Sequence, residues 1–365
     1  MIRWRTRFGL MSIVLGVMLS SCQTPATPSP VLSLKPTEQV SILVSPNAPA
    51  QIKREGWKDY QPTGFGTLVY STDLLKTNGP VMLLCSDIQT VRTLTGLGSN
   101  PCPLVQNAES LTYDDMWLES GTRTPIPDSV PYILYPRSTS ILEPRPILRW
   151  HNTGAISYTV EIRQGASLHW RQIEATSDTL AYPANAPELV AGKDYLLVIT
   201  DNTSGRDSTE DPNKGLGFQV VDASQRVDLE NRQQALSNLS DLDPAAQKLA
   251  LALLYDQVQI SGRGLWGEAS ALLHEVATAQ PNAPAVQLRL GDTLGKIKLW
   301  GEAEVAYEAA FTMAQTLSQL ENQAEALAAL WRITGNQAQF DQAVRLYEQL
   351  GATSHADKLR NEQGP

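Results

Sequence analysis

The sequence predicts a multidomain protein in which a β-rich amino-terminal half is followed by an all-α solenoid of paired helices. The pentapeptide Leu-Trp-Gly-Glu-Ala at residues 265–269 recurs 34 residues later, at 299–303, and such a period is typical of stacked helical pairs. Short apolar runs between residues 40 and 222, separated by Gly, Pro and Asn, indicate strands and turns. We predict five segments: a leader (1–21), a tether (22–38), a small β domain (39–125), a β-sandwich (131–222) and a helical domain (226–360).

The amino terminus has the three-part form of a secretory signal. Three arginines precede an apolar stretch at residues 8–19, which is followed by Ser20, Ser21 and Cys22. The apolar stretch is shorter than the roughly 20 residues that a membrane-spanning helix needs. Residues 19–22 resemble the lipobox of bacterial lipoproteins, and this resemblance implies cleavage before Cys22 and lipidation of its sulfur. Two alternatives are a plain signal peptide with a chance cysteine and an internal strand.

The residues that follow Cys22 help to predict where the protein is located in the cell envelope. Attached acyl chains would hold the protein at the membrane surface. In lipoproteins of two-membrane bacteria, Asp after the cysteine tends to retain the product at the inner membrane, so Gln23 favours the outer membrane. Residues 23–36 are rich in Pro, Ser and Thr, which predicts a semi-extended tether with a reach of about 3 Å per residue. We therefore expect a protein secreted across the inner membrane and anchored on its periplasmic side.

Composition argues against several functional classes. The formal net charge is −9, and the chain has no basic stripe of the kind that neutralises a nucleic-acid backbone. The four histidines are scattered, so we expect no metal site and no cofactor. The sequence contains no G-x-S-x-G, S-x-x-K, H-E-x-x-H or P-loop pattern. We expect a protein that is not an enzyme, the alternative being a catalytic constellation assembled across domains.

Two cysteines remain if Cys22 carries lipid. Cys85 and Cys102 form an even pair in a chain expected in an oxidising compartment, which predicts a disulfide. In the chain-entropy model, closing this short loop stabilises the fold by about 3 kcal/mol. The alternative is a pair of free thiols.

The first β domain has strand candidates at residues 40–44, 67–70 and 81–84. Residues 66–75 resemble the G-x-x-L-x-x-x-D-x-L core of FecR-like envelope domains. That resemblance implies a small β-fold that contacts envelope partners, and hence a sensor or regulatory protein as an alternative function. An unrelated small β domain is equally consistent with these residues.

The second β domain has the length and strand number of a sandwich. Tyr158, Val160 and Ile162 alternate with polar residues, which predicts one face in a core and the face of Thr159, Glu161 and Arg163 in water. Residues 189–195 resemble the L-x-x-G-x-x-Y turn before strand F of fibronectin type III domains. The resemblance implies a tyrosine corner at Tyr195 and a buried Trp150.

An end loop of this sandwich, at residues 202–215, is rich in charge. Its charged residues are Arg206, Asp207, Glu210, Asp211 and Lys214. End loops of sandwiches often bind partners, so a glycan-binding cell-wall protein is a further alternative function. A solvated hairpin is the other explanation for these charges.

The carboxyl-terminal third resembles the tetratricopeptide repeat (TPR) family from about residue 244 to 350. A degenerate third copy of the motif starts at Phe340, and a small residue is needed where paired helices cross closely. The residues expected to pack between repeats are Trp266, Ala269, Trp300, Ala303, Tyr307, Phe340 and Ala343. Residues 261–264 are expected to be an inserted loop. An ordinary helical bundle with a chance repeat is the alternative.

The TPR resemblance also implies a binding surface. In that family the first helix of each pair lines the concave side, which makes Arg289, Asp292 and Lys296 candidates for a peptide groove. Ordinary solvated charges are the alternative. The expected function is that of a lipid-anchored adaptor that binds envelope proteins or peptides through the groove.

Overall fold

The predicted order of a β-rich half and an α solenoid-like region is confirmed by the computed structural model. The structure describes residues 40–46, 49–103, 123, 126–213, 216–258, 260 and 262–363. Cys22, the tether, Asp114, Asp115 and Lys214 lie outside the described residues. Within the described part of the chain, no helix has the length and apolar character needed to cross a membrane.

The first module consists of two antiparallel sheets that share an apolar core. Its strands are β1 (Val40–Leu43), β2 (Ala50–Lys53), β3 (Gln61–Thr63), β4 (Leu68–Tyr70), β5 (Leu74–Thr77), β6 (Val81–Leu84), β7 (Val91–Leu94) and β8 (Leu97–Ser99). The sheet orders are β4-β1-β6-β7 and β3-β2-β5-β8. Leu43 and Val69 of one sheet and Ile52 and Leu75 of the other lie in the same buried cluster.

The predicted disulfide between Cys85 and Cys102 is present in this module. Their Cα atoms are 5.5 Å apart, and both residues are buried in the module's apolar core. Asp73, the acidic residue of the FecR-like pattern, is also buried. Its carboxylate accepts hydrogen bonds from Arg54 Nη1 and from the backbone N–H of Tyr70, both at 2.8 Å. The acidic residue therefore fixes the turn between β4 and β5.

The second module is a sandwich of a three-stranded and a five-stranded sheet. Its strands are β9 (Ile133–Tyr135), β10 (Ser140–Ile141), β11 (Ile147–Trp150), β12 (Tyr158–Gln164), β13 (Ser167–Ala175), β14 (Thr179–Ala181), β15 (Asp194–Asp201) and β16 (Phe218–Val220). The sheet orders are β14-β11-β9 and β10-β16-β15-β12-β13. Trp150 from the smaller sheet meets Tyr158 from the larger one edge to face in the core.

The structure tests the predicted tyrosine corner and the predicted solvent-facing side of β12. The Tyr195 hydroxyl accepts a 2.8 Å hydrogen bond from the backbone N–H of Val190, as expected for a tyrosine corner. Glu161, by contrast, was expected in water and is 5% exposed. Its carboxylate is paired with Arg163 and Arg171 on the outer face of the sheet, and these guanidinium groups cover it.

Eight described helices follow the sandwich, and each packs against the next. They are α1 (Ala223–Ser237), α2 (Pro244–Gln257), α3 (Trp266–Ala279), α4 (Pro284–Lys296), α5 (Trp300–Thr316), α6 (Leu320–Thr334), α7 (Gln337–Leu350) and α8 (Thr353–Gln363). Asp243 caps α2 by accepting a hydrogen bond from the N–H of Ala246, with Pro244 in the first turn. Gly335 and Gly351 end α6 and α7 in the left-handed conformation that favours glycine.

The first β module lies against helices α2, α4, α6 and α7. Phe65 shares a buried cluster with Val286 and Leu290 of α4, and Gly66 lies so close to Val286 that a Cβ atom would come within 2.9 Å of its side chain. The N–H of Lys58 also donates a 3.0 Å hydrogen bond to the carbonyl of Leu350. As a result, α4 has no fully exposed residue along its length.

Candidate functional site

The two copies of the pentapeptide occupy equivalent positions in the helical array. Trp266 and Trp300 are the first residues of α3 and α5, and Ala269 and Ala303 are both fully buried one turn later. In the third copy, Phe340 and Ala343 are buried as well, but α7 begins three residues before Phe340. The repeat therefore places an aromatic and a small residue at the same relative positions of three helices.

Close packing of α4 on α5 depends on Gly291 and Tyr307. A Cβ atom on Gly291 would lie 2.5 Å from Cε1 of Tyr307, which is fully buried. The Tyr307 hydroxyl donates a 2.7 Å hydrogen bond to Asp292 Oδ1. Asp292, one of the predicted groove residues, therefore has one oxygen committed to the neighbouring helix.

The predicted groove residues lie on one side of α4 and are all half-buried. Lys296 donates to both carboxylate oxygens of Asp256 on α2, at 2.7 and 2.8 Å. The Nε of Arg289 is buried and has no hydrogen-bond partner among the described residues. Lys296 is thus neutralised within the array by Asp256.

A carboxyl group on α6 belongs to the same recess. Glu325 is half-buried, and burial together with the nearby Glu321 raises its pKa to about 8. Burial also raises the pKa of Asp292. Arg289 interacts electrostatically with both carboxyl groups. We refer to the set Arg289, Asp292, Glu325 and the adjacent Tyr70 as the α4 recess.

The first β module closes one side of the α4 recess. Arg54 of this module stacks on the ring of Tyr70, with its Cζ atom 4.6 Å from the ring centroid. The same guanidinium donates a 2.9 Å hydrogen bond to Glu321 Oε2 at the start of α6 and another to Asp73. The first β module therefore covers one side of the recess and is joined by Arg54 to the start of α6.

A second polar site, which sequence reasoning missed, joins the sandwich to the array. The hydroxyl of Tyr135 donates a 2.9 Å hydrogen bond to Glu268 Oε1, and that of Tyr132 donates a 3.0 Å bond to Glu302 Oε1. The two acceptors are the glutamates of the repeated pentapeptide. The signal available in the sequence was the three-residue spacing of the tyrosines, which by itself predicts no contact 133 residues away.

Arg137, also missed, is fully buried in this interface. Its Nε donates to the carbonyl of Ile297 at 2.7 Å and its Nη2 to that of Lys298 at 3.1 Å. Its Nη1 pairs with Asp211 at 2.6 Å, and neither side chain is exposed. The guanidinium thus ties the sandwich to the turn between α4 and α5.

Asp211 belongs to the end loop that was expected to be either a partner-binding loop or a solvated hairpin. The inner part of this loop is neither, because Asp211 is buried against Arg137 and Asn213 accepts a 3.0 Å hydrogen bond from the indole N–H of Trp300. In the exposed part, Arg206 pairs with Glu210 at 2.8 Å. Asp207 there caps a 3₁₀ turn by accepting a 2.7 Å bond from the N–H of Thr209.

Two of the four histidines lie against tyrosine rings of the sandwich. His151 stacks on Tyr132 and His169 meets Tyr195 edge to face, with ring centroids 4.6 and 5.2 Å apart. Among the residues that the structure describes, no group of His, Cys, Asp and Glu side chains is placed to hold a metal ion.

Comparisons with known proteins add no functional assignment. No protein-family model matches the sequence, and no curated protein shows significant similarity to it.

Proposed function

We propose that this chain is a lipid-anchored, non-enzymatic adaptor of the bacterial envelope, and that α2 to α7 are three tetratricopeptide repeats whose α4 recess binds a segment of a partner protein. The packing of Gly291 on Tyr307 and the burial of Ala303 support the repeat assignment. Both follow the large and small positions of that family. The 34-residue period adds to this support.

The observation that carries the binding proposal is the buried Nε of Arg289, which has no hydrogen-bond partner among the described residues and lies beside Glu325 in the α4 recess. A buried donor without an acceptor costs about 1–3 kcal/mol. A partner carbonyl or carboxylate that reaches the guanidinium would recover that free energy, and the planar fork suits two parallel hydrogen bonds. Glu325, which is largely protonated at neutral pH, can donate a hydrogen bond to the same ligand.

The envelope location rests on the leader and on the disulfide. The order of basic residues, short apolar stretch, small residues and Cys22 favours lipidation. The bond between Cys85 and Cys102 is typical of proteins in an oxidising compartment. An anchored chain with a Pro-rich tether would hold the recess away from the lipid headgroups.

Affinity capture of the full anchored chain from cells tests the proposal. The double variant Arg289→Gln/Glu325→Gln removes the guanidinium and the ionisable carboxyl of the recess while keeping a polar side chain at both positions. The matched control is Lys248→Gln/Glu275→Gln, an exposed ion pair between α2 and α3. We expect the recess variant to recover at least tenfold less of a specific partner protein than the control variant does. Equal recovery with both variants would rule out the recess as the binding site.

A further inference from the structure

The helical array makes the same kind of tyrosine–glutamate hydrogen bond in two of its repeats, and in the first of them the pentapeptide glycine also packs on the tyrosine ring. In each copy, a glutamate in the first turn of the second helix of a pair accepts a hydrogen bond from a tyrosine hydroxyl: Glu268 from Tyr135 and Glu302 from Tyr132. The two tyrosines are three residues apart in an extended segment. We propose that the repeated Leu-Trp-Gly-Glu-Ala pentapeptide is a tyrosine-recognition site, and that the array binds extended Tyr-x-x-Tyr-x-Arg segments, with residues 132–137 as its resident ligand.

The pentapeptide residues supply both shape and polarity. Gly267 is in contact with the ring of Tyr135, because a Cβ atom there would lie 2.7 Å from Cε2 of that ring. Tyr132 packs against the cluster of Trp266, Ile297 and Leu299. The Oε1 atom of each glutamate then accepts a hydrogen bond from the tyrosine hydroxyl. A site of this kind favours Tyr over Phe, since Phe cannot donate a hydrogen bond to the glutamate.

The third copy of the motif explains why the array has two such sites rather than three. At the positions of Gly267 and Glu268 it has Asp341 and Gln342. Asp341 has a side chain at the position where the Tyr135 ring packs on glycine in the first copy. Three residues before Tyr132, where a third tyrosine would be needed, the segment has Ser129, which accepts a hydrogen bond from Arg206 instead.

The arginine of the segment fixes its position along the array. Arg137 donates to the carbonyls of Ile297 and Lys298, which belong to the turn between the helices of the second pair. Two residues further on, Thr139 Oγ1 accepts a 3.0 Å hydrogen bond from the N–H of Gly267. These contacts involve backbone atoms of the array, so they set the register without depending on particular side chains.

This surface is distinct from the α4 recess and does not depend on the function proposed above. The tyrosine sites lie at the start of α3 and α5 and face the sandwich, whereas the recess is formed by α4 and α6 together with the first β module. A variant that no longer captures a partner through the recess would therefore keep both tyrosine sites intact.

The test uses the full chain with its resident ligand weakened by Tyr132→Ala, Tyr135→Ala and Arg137→Ala. The probe is a fluorescein-labelled peptide of residues 129–142, followed by fluorescence anisotropy. We expect the peptide to bind this variant at least tenfold tighter than it binds the wild-type chain. A peptide with both tyrosines replaced by Phe should bind at least tenfold more weakly, and adding Glu268→Ala and Glu302→Ala to the variant should abolish binding.

Equal binding of the Tyr and Phe peptides, or no binding to a variant that retains its helical circular dichroism, would overturn the proposal. Should the triple variant not fold, the thermal midpoint of single variants decides. Tyr135→Phe is then expected to lower the midpoint in the wild-type chain and to leave it unchanged in a Glu268→Ala background, in which the acceptor is absent. Equal shifts of the thermal midpoint in both backgrounds would show that Glu268 does not stabilise the Tyr135 hydroxyl.

Discussion

The Tyr135 hydroxyl and the Glu268 carboxyl form a hydrogen bond across the interface between the sandwich and the helical array, over a sequence separation of 133 residues. The same Oε1 atom accepts a bond from the N–H of Leu142, while Oε2 is buried without a partner. Burial raises the pKa of Glu268 to about 7. Among the residues that the structure describes, no cation pairs with this carboxyl, so its neutral form favours docking of the sandwich.

The raised pKa of Glu268 predicts a pH-dependent stability. A carboxyl whose folded-state pKa lies above its ordinary value of 4.5 contributes fully below that value, and the contribution is lost as the pH rises from 4.5 to about 7. Glu268→Gln should not show this loss. The variant should therefore gain stability relative to the wild type between pH 5 and pH 8, by at most about 3 kcal/mol.

Urea unfolding at the two pH values measures this difference. Glu308→Gln on the exposed face of α5 controls for the removal of one negative charge. If the gap between wild type and Glu268→Gln stays constant from pH 5 to pH 8, the carboxyl is not ionising inside the interface.

The two glycines of the repeated pentapeptide should respond oppositely to alanine. Gly267→Ala places a methyl group 2.7 Å from the Tyr135 ring, whereas Gly301→Ala meets no atom within 4 Å. Overpacking should make the first variant less stable by about 1–3 kcal/mol. The second should be more stable by roughly 0.5–1 kcal/mol, because alanine is the better helix former. Thermal unfolding of both variants checks the prediction, and changes of the same sign would contradict the contact.

The ion pair of Arg137 and Asp211 should be far more important for stability than an exposed pair. Arg137→Met leaves Asp211 buried without its partner, and it should lower the free energy of unfolding by about 3–5 kcal/mol. Arg163→Met removes a guanidinium that is 44% exposed beside Glu161, and should cost less than about 1 kcal/mol. Denaturant titration compares the two variants, and similar losses would show that Arg137 is solvated.

Reduction of the disulfide should weaken the first module. The bond joins residues 17 positions apart, for which the chain-entropy model gives about 3 kcal/mol. Cys85→Ala/Cys102→Ala should lower the thermal midpoint and make it insensitive to dithiothreitol. A midpoint of the oxidised wild type that does not change on reduction would contradict a structural role for this bond.

Much of the architecture follows from local patterns. The equivalence of α3 and α5 follows from the identical pentapeptides, because the same residues start a helix in both places. The alternation at Tyr158, Val160 and Ile162 correctly gives the buried face of β12. In both cases the interactions that decide the structure repeat along the chain, and a repeat is visible in a single sequence.

Contacts between modules could not be predicted in this way. Arg137 is a single polar residue in an irregular segment, and its acceptors are backbone carbonyls 160 and 161 residues later. The burial of Glu161 depends on Arg171 from a neighbouring strand. The candidate groove residues lie on α4, but the position of Tyr70 and Arg54 beside them depends on how the first module docks. A repeated local sequence pattern does not predict such contacts between residues that are distant in the chain.

Site-specific photocrosslinking in living cells tests the adaptor proposal most directly. The photoreactive residue p-benzoylphenylalanine replaces Tyr70, an aromatic residue at the edge of the α4 recess, or Val305, which is 66% exposed on α5. We expect a discrete adduct with a second protein from position 70 and none from position 305. The adduct from position 70 should be absent in the Arg289→Gln/Glu325→Gln variant. Adducts of equal yield from both positions, or none from position 70, would contradict the adaptor proposal.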